Sequence, residues 1–516
     1  MNINTAVPKK VKECPEGQEI NPYKPEKGCV IKCKEGKERR APDGRCVYVP
    51  KASSLPKASP KQPKQPKQPK PSSIRNFLKQ MKKEKIYNIK KPDELLVFIN
   101  ENLAPKKIET KTRGEVFTPM GLVKEMLDKL PKNVWINKNL KWLDPAAGMG
   151  NFPVAVYMRL MDGLKGVIDS DESRRKHILE KMLYMVEIDK ANVFMINKIF
   201  CGGTYKLNIF EGSFINYQAK YKEVVINNKY DIILGNPPFQ YKEDKLQAQS
   251  IWRFFVERSY RLLEKNGYIL MIHPSGWRDI GGRERDIFDF MKAHNLIYLN
   301  MKDFKTGKKI FDVGTNFDYY LVQNTLMNSN KTTINDYDNT KGKDEEYEID
   351  LNRWEFIPSG KFKDFRQIIA KKNEEKANVF RSTLYHTQGE EMSKTKTDFP
   401  CCYSITIKDG MKYRYSNIDK GHFGIPKVIW SNGSGTYPIV DKIGEYGLTE
   451  YCYGIIDKKD KLNDIKDAME KPLFLELMKY LVFKEDHKYN YKIISLFKKD
   501  FYKYFLDKKS SSRESK

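Results

Sequence analysis

Three stretches of the chain carry side chains whose types and order could do chemistry. The first is Asp144-Pro145-Ala146-Ala147-Gly148-Met149-Gly150-Asn151-Phe152, read as the end of a strand running into a helix. Glycines in such a turn let the backbone approach a ligand closely, and the helix start offers N–H groups without an intrahelical acceptor. Taken alone, the pattern also suits simple tight packing. The second is Val186-Glu187-Ile188-Asp189, at the end of the next strand. A carboxylate placed there can accept hydrogen bonds from both hydroxyls of a ribose. Glu187 is the first candidate and Asp189 the second, although Asp189 is equally suited to capping the following helix. The third is Asn236-Pro237-Pro238-Phe239, directly after the apolar run YDIILG. Two prolines there make a rigid turn at the carboxyl edge of a sheet, where open α/β folds bind their ligands.

Asn236-Pro237-Pro238-Phe239 resembles the Asn/Asp/Ser-Pro-Pro-aromatic signature of the S-adenosylmethionine-dependent amino-methyltransferases. The resemblance implies that the Asn236 side-chain oxygen and the Pro237 carbonyl accept hydrogen bonds from a target NH2. Phe239 would stack on the base that bears it, which must leave the duplex. Donation to two acceptors draws the nitrogen towards sp3 and frees its lone pair for in-line attack on a sulfonium methyl. No general base is demanded, because the methylated amine readily sheds a proton. A further stretch, Gly114-Glu115-Val116-Phe117-Thr118-Pro119, precedes the glycine loop. It is similar to the segment that packs over the methionine portion of the cofactor in N6-adenine-specific DNA methyltransferases, and the motif order resembles their gamma arrangement. The same resemblance places Phe117, Thr118 and Pro119 in the cofactor pocket, with Asp144, Ala146, Gly148, Gly150 and Phe152 on the glycine loop. It covers about residues 108–325 and departs at Phe210-Glu211-Gly212-Ser213-Phe214, where Ser213 stands in place of the family's acidic residue. Ser213 would hydrogen-bond the cofactor's adenine amine more weakly, and Phe214 would pack on the adenine ring.

Three more stretches are expected near a substrate. His273-Pro274-Ser275-Gly276-Trp277 should border the target-base pocket, although a lone histidine at a strand end is more often structural. Gly314-Thr315-Asn316-Phe317 offers Phe317 as an aromatic against the flipped base. Lys427–Gly435, followed by Gly444–Gly447, resembles a segment of DNA target-recognition domains, in which tyrosine and lysine around glycine loops suit phosphate and base contacts. Asp93 with Glu109 and Lys111 mimics a nuclease pattern, but Asp93 opens a helical run, PDELLVFI, and the segment is too short for a nuclease core.

The elements that must position these residues are legible in the apolar runs KWLDPA, LYMVEID, LNIF, YDIILGNPP, GYILMIHP, LIYLNMK and FDYYLVQN, with helical segments between most of them. Such alternation indicates an α/β domain with a mostly parallel sheet. It is identified as a Rossmann-like methyltransferase sheet followed by a mixed C-terminal domain. The last two runs, close together, suggest an antiparallel hairpin at one edge. Residues 1–50 repeat a two-cysteine unit, CPEGQEINPYKPEKGCV and then CKEGKERRAPDGRCV, each too small for a core of its own. Cys14, Cys29, Cys33 and Cys46 could share a zinc, but their spacing is not the paired CxxC pattern. The repeat resembles adaptor modules fused to enzymes of large DNA viruses, which implies a protein partner, and no metal or chemistry is assigned to it. Residues 51–73, with KQPKQPKQPKP, form an extended linker. The expected organisation is therefore the repeat at 1–50, the linker at 51–73, a catalytic domain with N-terminal helices at 74–330, and a DNA target-recognition domain at 331–516.

With 516 residues the chain exceeds a single core. Its formal net charge of +27 favours a polyanionic partner, and double-stranded DNA is the expected one. No run of about 20 apolar residues is present, and Met1–Lys12 lacks the apolar core of a signal peptide. The protein is thus expected to be cytoplasmic, in a host cell if viral, and neither secreted nor membrane-spanning. The expected activity is adenine-N6 methylation of DNA with S-adenosylmethionine, of the kind found in restriction-modification. The alternatives are RNA-adenine or protein-glutamine methylation, which use the same motif, and a catalytically silent DNA-binding adaptor.

Overall fold

The computed structural model describes residues 118–201, 203–216, 223–241, 249–280, 284–311, 314–326, 331–338, 343–433, 435–481 and 489–507, with four short strands between 18 and 48. The linker at 51–73 and residues 74–117, which include Phe117, lie outside them. Two compact units divide the chain, Met1–Lys83 and Glu84–Lys516. In the first, each copy of the cysteine repeat forms one antiparallel hairpin. Gln18–Ile20 pairs with Cys29–Ile31, and Lys37–Arg39 pairs with Cys46–Tyr48.

The second unit is built on a nine-stranded sheet. We number its strands β1 (Trp142–Asp144), β2 (Leu183–Glu187), β3 (Asn208–Glu211), β4 (Tyr230–Gly235), β5 (Leu263–Pro274), β6 (His294–Lys302), β7 (Phe317–Leu326), β8 (Lys331–Asp338) and β9 (Lys343–Asp350). Their order across the sheet is β9-β8-β6-β7-β5-β4-β1-β2-β3. β1 to β5 run parallel, and β7 is antiparallel to both of its neighbours. The seven strands β1–β7 in this order form a Rossmann-like sheet, as expected from the alternation of strand and helix in the sequence. The central strands must be covered on both faces, and this explains the unbroken apolar run YDIILG in β4, of which only Asp231 is not fully buried.

Two features differ from expectation. β6 and β7 do pair antiparallel, but β7 inserts between β5 and β6 instead of lying at an edge, and a short helix separates the two strands in sequence. The sheet also continues past residue 330, because β8 pairs parallel with β6 and β9 pairs antiparallel with β8.

The helices that matter for the site are α1 (Met120–Leu127), α2 (Asn151–Gly163), α3 (Asp171–His177), α4 (Lys190–Ile199), α5 (Trp252–Leu262), α6 (Arg285–Ala293) and α7 (Phe304–Phe311). α2 begins directly after Gly150, whose positive φ of 97° sets the turn from β1. Beyond β9 the chain forms two four-stranded sheets and further helices. One buried apolar cluster runs from Leu143 and Ile233 of the catalytic sheet through Trp354, Phe362 and Phe365 to Trp430, Phe474 and Phe505. The C-terminal part is therefore packed onto the same core.

Candidate active site

The carboxyl ends of β1, β2 and β4 gather the three motifs. At the end of β1, Asp144 is 2% exposed; its Oδ1 accepts from the Ala146 N–H at 3.0 Å, and burial pushes its carboxyl up to about 7. Its Oδ2 has no hydrogen-bond partner among the described residues. Gly235, at the end of β4, passes so close that a Cβ there would lie 2.8 Å from Asp144 Oδ1. That contact keeps β4 tight against β1 immediately before Asn236.

Glu187 closes the glycine loop from the side of β2. Its Oε2 accepts from the Gly148 N–H at 2.7 Å, and its Oε1 accepts from the Asp189 N–H at 2.7 Å. Gly148 holds a φ of 53°, which aims this N–H at the carboxylate. Asn192 Nδ2 also donates to Oε1 at 3.5 Å, so the carboxylate is held in one orientation at the end of β2. Asp189, the second candidate for the ribose contact, caps α4 by accepting from the Ala191 N–H at 2.8 Å. Ala146 and Gly148 are partly exposed on the loop, whereas Phe152 is 4% exposed inside α2.

Thr118 joins the motifs. Its Oγ1 accepts from Asn236 Nδ2 at 3.0 Å, and its carbonyl accepts from Asn151 Nδ2 at 2.7 Å. One residue therefore ties the Asn-Pro-Pro turn to the first residue of the glycine-loop helix. With Nδ2 donating to Thr118, the amide presents its Oδ1 on the other side. Pro119, directly before α1, is partly exposed. α1 is anchored in turn by Glu125, which accepts from Tyr319 Oη at 2.7 Å and lies 3.6 Å from Lys302 Nζ. Pro237 is buried; Pro238 and Phe239 are half-buried, and the Phe239 carbonyl accepts from the Ile251 N–H at 3.2 Å.

Several expected residues are placed elsewhere. Phe214 is 2% exposed and lies in the core, stacked on Phe255 at 5.4 Å with the Arg258 guanidinium over its ring at 4.8 Å. It is committed to packing, not to a cofactor ring. The Ser213 hydroxyl donates to the Ile215 carbonyl at 2.6 Å, so it closes its own turn. Phe317 is fully buried, edge-on to Phe311 at 4.8 Å. Lys427 is also fully buried, with its Nζ 2.9 Å from Asp441 Oδ2, so it builds the C-terminal sheet and is withheld from phosphate. His273 has no exposed surface, stacks on Trp252 at 3.9 Å, and is pushed down by burial to about 3. It is a neutral packing group, as a lone strand-end histidine most often is.

Two functional arrangements escaped the sequence reading. Asn151 carries only a weak signal in the sequence, as a polar residue that opens the apolar helix NFPVAVY. The buried pair of Arg278 and Asp318, 2.7 Å apart, joins residues far separated in sequence and left no local signal.

A family model described as the Eco57I restriction-modification methylase matches residues 162–311, which span β2 to α7 and include the Asn-Pro-Pro-Phe turn. An uncharacterized adenine-specific methylase of Mycoplasma pneumoniae is 27% identical over 346 residues, with 50% of this chain and 78% of that protein covered. Among solved structures, a modification subunit of a type I restriction enzyme from Vibrio vulnificus aligns with 49% of this chain at 16% identity and a TM-score of 0.36. This chain spans about half of that subunit, 52%. The DrdV–DNA complex aligns with 84% of this chain and 61% of its own, at 12% identity and a TM-score of 0.42. The family match and the Mycoplasma relative, joined to the motifs and the sheet that carries them, make this chain similar to the adenine-specific DNA methylases.

Proposed function

We propose that the chain transfers a methyl group from S-adenosylmethionine to N6 of adenine in double-stranded DNA. The observation that carries this reading is the Thr118 link, which holds Asn236 beside the glycine loop at one edge of the sheet. The residues present fit the cofactor. Asp144 offers an unpartnered buried carboxylate oxygen, Gly148 and Gly150 leave room for close approach, and Glu187 stands at the ribose position. When bound, the cofactor supplies an electrophilic sulfonium methyl. Asn236 Oδ1 and the Pro237 carbonyl accept the two N–H bonds of the target amine and hold its lone pair in line. Phe239 stacks on the extruded base. Ala146, Phe152 and Pro119 shape the cofactor pocket; Phe117 lies outside the described residues. The adenine end of that pocket is served by the main chain around Ser213 more than by its hydroxyl. Residues 331–516 would carry target recognition, beginning after the catalytic sheet ends at Asp350. The net charge of +27 suits the polyanion. The cysteine repeat would recruit a protein partner.

The direct test is transfer of labelled methyl to duplex DNA, with the product nucleoside identified. N6-methyladenine in DNA supports the reading. Label only in RNA or only in glutamine of a protein overturns the substrate, and cofactor binding without transfer to any of them favours the silent adaptor.

Two substitutions separate the roles of the site. Glu187→Gln is expected to weaken cofactor binding by roughly tenfold to a hundredfold, the range of hydrogen bonds to a charged group. Transfer at saturating cofactor should be largely retained, and titration calorimetry with single-turnover kinetics reads both. Thr118→Val keeps the shape but removes the acceptor that fixes the Asn236 amide. It should lower kcat by on the order of tenfold or more, because a misplaced reacting group forfeits orientation. The KM for cofactor should change less, and Thr118→Ser should restore the rate. Equal losses in Val and Ser variants would sink the orienting role.

A further inference from the structure

Methyl transfer makes no use of the exposed face of α7, FKTGKKIF. Lys305, Lys308 and Lys309 are all exposed there, and their spacing puts them on adjoining turns of one surface. Among the described residues none of the three forms an ion pair. Asp303, directly before the helix, is engaged at its start, where its Oδ1 accepts from the Thr306 N–H at 2.9 Å. Lys302, just before the helix, lies 3.6 Å from Glu125 and faces α1.

The place of this face in the fold gives it meaning. α7 leaves the carboxyl end of β6, where Lys302 pairs with Phe317, and Phe317 pairs with Pro274 at the end of β5. β5 neighbours β4, which ends at Asn236. The helix therefore stands on the same sheet edge as the target amine, three strand spacings away, or on the order of 15 Å. That is about four nucleotides along one DNA strand, which rises 3.4 Å per phosphate. Its seat is closely fitted: a Cβ on Gly307 would strike the Thr315 carbonyl, and one on Gly314 would strike the Phe304 ring. The Asn316 carbonyl, in the same turn, accepts from the Ser275 N–H at 3.4 Å. The lysines are thus fixed relative to the catalytic edge and not carried on a long arm.

We propose that Lys305, Lys308 and Lys309 form a phosphate-binding face that grips the DNA backbone beside the extruded adenine. The proposal rests on the DNA methyltransferase reading above. Its test compares the full-length wild type with K305Q/K308Q/K309Q and with K138Q/K176Q/K181Q, which removes the same charge from exposed positions before β1 and β2, at the sheet edge away from Asn236. Glutamine keeps helix propensity, and cofactor binding reports folding. Affinity for duplex DNA is measured across a salt series, together with single-turnover methylation. The expected result for the α7 variant is a slope of log affinity against log salt reduced by roughly 2–3, near 0.9 per phosphate lost. Its KM for DNA should rise at least about tenfold at moderate salt, with kcat at saturating DNA and cofactor binding unchanged. The control variant should lose less than half as much slope. An unchanged slope in the α7 variant, or equal losses in both variants, overturns the proposal while the wild type still methylates DNA. A wild type that methylates RNA and not DNA removes the underlying reading first, and this proposal with it.

Discussion

Asn236→Ala should retain cofactor binding and lose methyl transfer to DNA by roughly 10²–10³-fold, the range seen when a preorganised polar group acting on a transition state is deleted. The amide oxygen acts only once the amine begins to pyramidalise, so the loss should fall on kcat more than on the KM for DNA. Alanine also releases Thr118 Oγ1, which accepts from Asn236 Nδ2 at 3.0 Å, and a structural objection follows: the loop could simply loosen. Asn236→Asp answers it. Aspartate keeps an acceptor oxygen towards the amine, and the Thr118 hydroxyl can turn to donate to the second oxygen. The aspartate variant should therefore keep a substantial part of the rate that alanine loses. Single-turnover transfer under saturating cofactor, read beside calorimetric cofactor affinity, checks both. Were alanine to transfer methyl at near wild-type rate, the turn would be a scaffold and the chemistry would lie elsewhere.

How much of this was legible in the sequence depends on the range of the interaction. The strand runs of the catalytic sheet were readable because a strand covered on both faces must be apolar along its length, as YDIILG is. Glu187 was readable as a candidate because it stands at the end of β2 after a glycine loop, and the structure brings its carboxylate to the Gly148 N–H there. The order of strands was not, because the insertion of β7 between β5 and β6 is decided by pairing across the sheet. Nor was the membership of β8 and β9, whose polar sequences KTTINDYD and KDEEYEID look like surface until β8 is seen to pair with β6. Phe214 shows the limit of carrying over a motif position. The ring directly follows Ser213, the position where the family has its cofactor contact, yet it is stacked on Phe255 under the Arg258 guanidinium in the core. Lys427 makes the same point for charge, since a lysine in a glycine-rich segment looked fit for phosphate but pairs with Asp441 inside the sheet.

The largest effect on stability is expected from Asp318→Ala. Asp318 has no exposed surface, and its Oδ2 accepts from Arg278 Nε at 2.7 Å and from Trp277 Nε1 at 2.9 Å. Burial alone pushes this carboxyl upwards, and Arg278 pulls it back towards the charged form. Arg278 is 1% exposed and also donates to the Ile357 carbonyl at 2.9 Å and to Ser359 Oγ at 3.2 Å. The Ser359 N–H in turn donates to the Tyr480 carbonyl at 2.8 Å. The pair thus bolts the catalytic edge at Trp277 and Phe317 to the segment after β9 and to the C-terminal helices. Removing the carboxylate leaves a guanidinium buried without its counter-charge, which costs about 3–5 kcal/mol. For a chain of this size that corresponds to a fall in Tm of roughly 5–10 °C. Replacing both partners, as Arg278→Met with Asp318→Leu, removes the uncompensated charge and should recover much of the loss, because apolar residues of similar volume can match a buried ion pair. Thermal unfolding of the single and double variants checks the argument. A single variant within about 2 °C of wild type would show that Arg278 finds other partners, and the bolt would then be made by its bonds to Ile357 and Ser359 alone.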